Sequence, residues 1–212
     1  PQGTQVCRCY PTRAQKPLPY NAMERHNKAK ITKLSFDNNN TNNMTIQPQL
    51  TIRPATTADL PAIMKLVESA IEIMHNNGNT GQWKNGYPGE NVIMDDITTG
   101  TCYLLLSDGK PVGSFALKPG PDPTYSEISN GAWLNDLPYY VIHRITSLPN
   151  THGTFAAALN YSLGICSNIR IDTFRDNTIM QHLLKKHGFK YCGIIHVANG
   201  DERLAFQKQR YA

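Results

Sequence analysis

The second half of the chain alternates between strand and helix patterns, and this order is what most constrains the fold. Residues 139–148 form a long, mostly apolar run that predicts an interior strand, and a helix pattern follows over residues 153–166. Residues 169–173 predict another strand, and residues 177–187 predict another helix. Strands joined by helices are usually parallel neighbours, so we expect a parallel pair of strands in this half.

Two hairpins accompany this alternating region. Asp108-Gly109 separates two short strand patterns ahead of it, and Asn199-Gly200 separates two more at the carboxyl-terminal end. Both dipeptides favour the tight turns that join antiparallel strands.

The region before the first hairpin predicts one strand and two helices. Residues 50–55 alternate and stop at a proline, whereas apolar residues recur at helical spacing over residues 60–74 and again over residues 92–97. The predicted fold class is therefore α/β (α+β), with a mixed, mostly antiparallel sheet and helices on both faces.

Charge divides the chain near residue 48. Residues 1–48 carry seven basic and two acidic side chains, so the whole net charge of +5 lies there, and residues 49–212 are balanced. The first segment is rich in Asn and poor in spaced apolar residues. We therefore expect a disordered basic extension over residues 1–48 and one domain over residues 49–212, with Met44 as a sensible natural start.

The same composition argues against several classes of function. Because the excess positive charge is confined to the extension, the domain offers no basic stripe for nucleic acid. No apolar run approaches the ~20 residues of a membrane-spanning helix. The five cysteines have neither metal-ligand nor redox spacing, so we expect no metal, reduced thiols and a cytoplasmic location.

The alternating half resembles a known family. Residues 169–173, Asn177 and the helix ending at Gly188-Phe189 resemble the strand–Asn–helix–Gly–Phe signature of the GNAT family of acetyl-CoA-dependent N-acyltransferases. Residues 139–148, followed by Pro149 and a glycine-opened helix, resemble its central strand and cofactor loop. The resemblance covers nearly all of residues 50–208 and implies the acyl-CoA N-acyltransferase fold, whose parallel pair of strands is splayed.

The resemblance also implies where acetyl-CoA, the co-substrate, binds. Its pantetheine arm would lie in a gap that a β-bulge opens beside the central strand, and its pyrophosphate would rest on N–H groups at the start of the next helix. The predicted cofactor-binding residues are Ile145, Thr146, Ser147, Asn150, Thr151, His152, Gly153, Thr154, Phe155 and Asn177.

Two features depart from the family pattern. The family loop has Arg or Gln, two residues, Gly, one residue, then Gly or Ala. Here Asn150 lacks the charge of an arginine, and Phe155 is expected to place a ring where the backbone should approach the phosphate. The tyrosine that often protonates the departing thiolate, seven residues after the Asn, is Leu184 here. These departures keep an alternative open, a catalytically impaired relative that binds acyl-CoA or a partner.

The chemistry needs a base, because an amine is mostly protonated at neutral pH. His143, on the central strand, is the first candidate; its alternative is a partly buried histidine held by a backbone carbonyl. Glu127 is the second candidate, and Arg144 is expected to pair with an acidic side chain. No serine-nucleophile elbow is present, which favours direct attack of the amine on the thioester.

Aromatic and amide residues in loops suggest the acceptor site. Gln82, Trp83, Tyr87 and Trp133 are the predicted substrate-binding residues, and the alternative is that the aromatic rings close the edge of the core. The resemblance implies a primary amine of a small molecule or of a protein amino terminus as acceptor. The sequence leaves the acceptor, the acyl length and a homodimer open.

Overall fold

The computed structural model describes residues 50–210, so the predicted extension (residues 1–48) lies outside the described residues. In chain order the elements are β1 (Thr51–Pro54), α1 (Leu60–Asn76), α2 (Glu90–Thr98), β2 (Cys102–Ser107), β3 (Lys110–Pro119), β4 (Tyr140–Ser147), α3 (Thr154–Ile165), β5 (Asn168–Thr173), α4 (Thr178–Lys186), β6 (Lys190–His196) and β7 (Glu202–Gln209). Short 3₁₀ turns lie at Thr57–Asp59 and Pro123–Tyr125.

The seven strands form one mixed sheet in the order β1-β2-β3-β4-β5-β7-β6. All neighbouring pairs are antiparallel except β4 and β5, which are parallel. The predicted α+β fold with one parallel pair is confirmed. β7 lies between β5 and β6, so the last hairpin folds back against β5.

Helices cover both faces of the sheet, as predicted. On one face Tyr161 of α3 packs against Tyr103 and Phe115, with ring centroids 5.1 and 6.2 Å apart. On the other face Cys102 and Leu104 pack into a core with α1 and α2. The buried helix residues of that core are Ile63, Leu66, Val67, Ile93 and Ile97.

Local signals set the helix ends. The side chain of Asn177 caps α4 by accepting a hydrogen bond from the Met180 N–H (3.0 Å), and Gly188, with φ of 75°, follows its last turn. Before α1, Asp59 accepts two 2.8 Å hydrogen bonds from Arg53, and these hold the pKa of Asp59 well below its usual value. None of the described helices is long and apolar enough to cross a bilayer.

Candidate functional site

A gap opens between β4 and β5. The two strands pair only at Tyr140–Ile169 and Val141–Arg170, although β4 continues to Ser147. Beyond those two pairs, Thr146 and Ser147 keep their partners on β3, but residues 145–147 have none on β5 among the described residues. One edge of β4 is therefore left unpaired beside the gap.

A β-bulge lies in β4 where the gap begins. Ser114 pairs with Thr146 and Ala116 pairs with His143, so the single β3 residue between the two pairs faces two residues of β4. Arg144, one of those two, has φ of 50°, which is uncommon for a residue with a side chain. The bulge turns β4 away from the line it shares with β5.

A buried ion pair holds the bulge in place. The Nε and Nη2 atoms of Arg144 each donate a 2.7 Å hydrogen bond to Asp96, which is only 1% exposed. Lys118 lies 2.8 Å from the same carboxylate, and Arg144 also donates to the hydroxyl of Tyr87 (3.0 Å). The acidic partner expected for Arg144 is thus Asp96 on α2.

A cavity of about 140 Å³ lies at the open end of the gap. Its walls come from β4, from the first turns of α3 and α4, and from the last turns of α1 with the loop that follows. Of the predicted cofactor-binding residues, those that line it are Ile145, Thr146, Ser147, Thr154, Phe155 and Asn177. Asp176, which is exposed, is the single ionisable side chain among the described residues that line it.

The predicted phosphate loop leads directly into α3. Gly153 has φ of 83°, a conformation that strains other residues, and α3 begins at the next residue with no side-chain cap. Its first-turn N–H groups therefore have no side-chain partner, and the helix dipole makes them favourable to anions. The remaining loop residues, Asn150, Thr151 and His152, lie outside the cavity lining.

The ring of Phe155 is buried against the end of α4. Phe155 is only 4% exposed, and its ring centroid is 5.2 Å from that of His187 and 6.4 Å from that of Phe189. The side chain packs between α3 and the end of α4, while its backbone N–H stays in the first turn of α3. Phe155 also lines the cavity, so the expectation that its ring stands near the phosphate-binding backbone stays a prediction.

Three carboxamides connect α4 to the loop after α1. Because the Oδ1 of Asn177 accepts the capping hydrogen bond, its Nδ2 faces Gln82 and donates to Oε1 (2.9 Å). Asn79 donates its Nδ2 to the same oxygen (2.9 Å). Asn79 is 1% exposed, and its Oδ1 has no hydrogen-bond partner among the described residues.

The predicted substrate-binding residues do not come together. Trp83 lines the cavity, whereas Gln82 belongs to the amide network and Tyr87 bonds to Arg144. Trp133 lies in a separate cluster, where its ring stacks on Tyr125 at 5.4 Å and its indole N–H donates to the Tyr125 carbonyl. Trp133 therefore packs at the edge of the core, which is the alternative that the sequence left open for it.

His143, the first candidate base, is held by a carboxylate. Its Nε2 lies 3.0 Å from Asp122, where the sequence suggested a backbone carbonyl as the alternative partner. Burial raises the pKa of Asp122, but the hydrogen bond and charge of His143, aided by the Thr124 N–H, outweigh it and lower that pKa overall. His143 lies outside the cavity lining, and Glu127 is exposed in the loop between β3 and β4.

Sequence reasoning missed three residues of this region. Asp96 and Asp122 each bind a partner distant in the chain, and Asn79 binds Gln82, which is itself held by the distant Asn177, so no local motif marks them. A polar residue inside the apolar face of a helix, as Asp96 is in α2, was the one available signal. Within residues 50–210, no cluster of His, Cys, Asp and Glu side chains could hold a metal ion.

The fold and sequence were compared with known proteins. A GNAT-family acetyltransferase from Streptococcus agalactiae is 33% identical, with a TM-score of 0.70, over 77% of this chain and 96% of that one. A GNAT-family acetyltransferase from Listeria monocytogenes is 21% identical, with a TM-score of 0.54, over 76% of this chain and 95% of that one. Arabidopsis thaliana Naa50, solved with the bisubstrate analogue CoA-Ac-MVNAL, is 17% identical, with a TM-score of 0.51, over 76% and 99%.

No protein-family model matches the sequence, and no curated protein matches it either. The similarity to the streptococcal protein nevertheless extends over almost all of that protein, at 33% identity. The chain belongs to the GNAT family of acetyltransferases.

Proposed function

We propose that this protein is an N-acetyltransferase that moves an acetyl group from acetyl-CoA to a primary amine of a small molecule or of a protein amino terminus. The observation that carries the proposal is the unpaired edge of β4 at residues 145–147, which lines a cavity leading to the first turn of α3. A strand edge offers backbone donors and acceptors at regular spacing, and these suit an extended ligand with amide groups.

The residues at the two ends of this path fit the two parts of coenzyme A. The first turn of α3 offers N–H groups and a favourable dipole to the pyrophosphate, and Gly153 lets the backbone come close. The ring of Phe155 packs on His187 and Phe189, and the pyrophosphate would pass beside it to reach these N–H groups. The cavity and the β4 edge would hold the pantetheine arm and orient its thioester.

His143 would hold the proton that the amine must lose. The thioester of acetyl-CoA supplies an activated acetyl group, so the amine attacks directly once it is neutral. Asp122, kept ionised, accepts the Nε2–H of His143, which leaves Nδ1 as the basic nitrogen. Because His143 is outside the cavity lining, a water molecule would carry the proton to it; Glu127 remains the second candidate.

A non-catalytic relative that binds acyl-CoA is the alternative function. It is favoured by one observation, the apolar surface that α4 turns toward the cavity. Met180 and Leu183 line the cavity, and Leu184 is fully buried, so none of them could protonate a thiolate. Both functions require coenzyme A binding, and only the first requires turnover.

The binding mode is tested by a matched pair of variants in the first turn of α3. Ala156→Asp places a negative charge beside the proposed pyrophosphate site, whereas Ala156→Asn is neutral and of similar shape. Aspartate near a helix start favours the helix, so ligand-free stability should be kept. Repulsion should weaken coenzyme A binding about tenfold or more in the aspartate variant alone.

Thermal unfolding of the full chain with coenzyme A measures this effect. For the parent protein, ligand at a hundred times its Kd adds about 2.7 kcal/mol, or roughly 5–10 °C in Tm. Equal shifts for the two variants would show that the anion binds elsewhere. Release of free thiol from acetyl-CoA with a panel of small amines and short peptides then distinguishes the enzyme from the binder.

A further inference from the structure

One buried oxygen beside the cavity lacks a partner. Asn79 lines the cavity and is 1% exposed, yet its Oδ1 accepts no hydrogen bond from any residue between 50 and 210. A buried carbonyl oxygen left unsatisfied destabilises a fold, so native proteins rarely keep one without a use. Asn79 is therefore a candidate for binding a hydrogen-bond donor from the ligand.

The direction of this oxygen is fixed by the neighbouring amides. The helix cap commits Oδ1 of Asn177, so Asn177 can offer only its Nδ2 to Gln82. Gln82 must then present its oxygen, and Asn79 must present its own Nδ2 to that oxygen. Oδ1 of Asn79 is thereby turned away from the protein's own donors. A flip of the Asn79 amide would set two oxygens against each other.

The backbone of the loop also prevents Asn79 from moving. The Asn79 N–H donates to the Met74 carbonyl at 2.9 Å, so the residue is tied to the last turn of α1. Two residues later, Gly81 packs so closely on Phe174 that an added Cβ would clash with the ring. The contact with Met74 and the contact with Phe174 therefore hold the loop in place on either side of the Asn79 carboxamide.

The surroundings restrict the donor to a neutral one. The wall beside Asn79 is apolar and includes Ile73, Met74 and Trp83, and the exposed Asp176 is the lone ionisable side chain of the described lining. An ammonium group brought against this wall would have no buried counter-charge. A neutral amide N–H needs only one acceptor oxygen, which Asn79 supplies.

We propose that Asn79 accepts a hydrogen bond from an amide N–H of the pantetheine arm, and that Gln82 and Asn177 position it. The proposal rests on the proposed function, because the arm is the part of coenzyme A that carries neutral amides. Asn177 then acts indirectly, since both ends of its carboxamide are already bound within the protein.

Three variants of the full chain test the assignment. Asn79→Leu removes the oxygen but keeps the branching and the number of heavy atoms, and it should weaken coenzyme A binding about tenfold. Its Tm without ligand should be unchanged or higher, because an unsatisfied buried oxygen has been removed. Gln82→Leu should also weaken binding, and Gln82→Glu, which keeps an oxygen acceptor, should restore it. Asn160→Leu, on the exposed side of α3, is the matched control and should bind as the parent does.

The second probe is adenosine 3′,5′-bisphosphate, which carries the nucleoside and two of the three phosphates of coenzyme A but no arm. Its Kd, measured by calorimetry, should be the same for the parent and for Asn79→Leu. An unchanged coenzyme A Kd in Asn79→Leu overturns the inference, and so does an equal loss with both probes. An unchanged coenzyme A Kd with a raised KM for the amine would assign the oxygen to the acceptor instead.

The failure of this inference is distinguishable from failure of the proposed function. A parent protein that does not bind coenzyme A refutes both together. A parent that binds tightly, with Asn79→Leu binding equally well, refutes the role of Asn79 alone. A lower ligand-free Tm with unchanged affinity would make Asn79 a purely structural residue.

Discussion

Replacing Asp96 by Asn should destabilise the protein and relax the β4 bulge. Asp96 is 1% exposed, and its carboxylate accepts 2.7 Å hydrogen bonds from Nε and Nη2 of Arg144. The Nζ of Lys118 lies 2.8 Å from the same carboxylate. Arg144 has a positive φ that is held by these bonds. The neutral amide would leave the buried guanidinium, whose side chain is 10% exposed, without a counter-charge.

The expected magnitude follows from that burial. Breaking a buried ion pair by removing one charge costs about 3–5 kcal/mol. For a domain of this size each kcal/mol lowers Tm by about 2–4 °C, so Tm should fall by about 6–20 °C. A strained φ is kept only while its surroundings enforce it, so the coenzyme A thermal shift should also shrink.

A double-variant comparison separates this reasoning from a general loss of packing. Asp96→Asn combined with Arg144→Gln removes both buried charges, so the double variant should be more stable than Asp96→Asn alone. Both are measured by thermal unfolding at pH 7. A loss below about 2 °C in the single variant, or a double variant less stable than the single, would refute the account.

Other changes have equally specific outcomes. Phe155→Ala should lower the free energy of unfolding in urea by about 3–5 kcal/mol, because a buried ring is lost. A variant that binds coenzyme A more tightly and loses no stability would contradict the buried position of the ring. His143→Gln should lower kcat about 10²–10⁴-fold at unchanged coenzyme A Kd, and Asp122→Asn should lower it in the same direction; full activity in both would exclude His143 as the base. Asp59→Asn should cost about 1–2 kcal/mol at pH 7, because it removes the charge that accepts the two Arg53 hydrogen bonds. Because the folded pKa of Asp59 lies below the unfolded value, its contribution to stability is complete above about pH 4 and is lost as the pH falls further. A difference in unfolding free energy between parent and variant that stays constant down to about pH 2.5 would contradict this.

Much of the fold could be predicted because its signals are local. The Asp108-Gly109 turn, the Asn177 cap and the Gly188 stop each depend on residues adjacent in the chain, and each occurs where the pattern placed it. The splaying of the parallel pair was expected from the resemblance alone, because no local pattern specifies where β4 separates from β5. Nothing local indicates that β7 inserts between β5 and β6.

The unpredicted parts of the site depend on contacts between distant residues. The Arg144–Asp96 pair joins positions 48 residues apart, and the Asn177–Gln82 hydrogen bond joins positions 95 residues apart. Phe155 illustrates the same limit within one residue. The loop pattern fixes its place in the first turn of α3, but the core formed by the end of α4 decides where its ring lies.

The apolar surface of α4 has a consequence for the pH dependence of turnover. The helix position at which the family often carries a tyrosine is Leu184, which is fully buried, and its neighbour Leu183 lines the cavity. In the proposed reaction no acid on this face could protonate the departing thiolate, so water would do so. A thiol has a pKa of about 8.5, and the thiolate is therefore a good leaving group above that pH without help. Raising the pH also frees the amine from its proton. The rate of thiol release should thus rise from pH 7 to pH 9 without the falling limb that an essential acid produces. A bell-shaped profile in that range would show that some other side chain donates the proton.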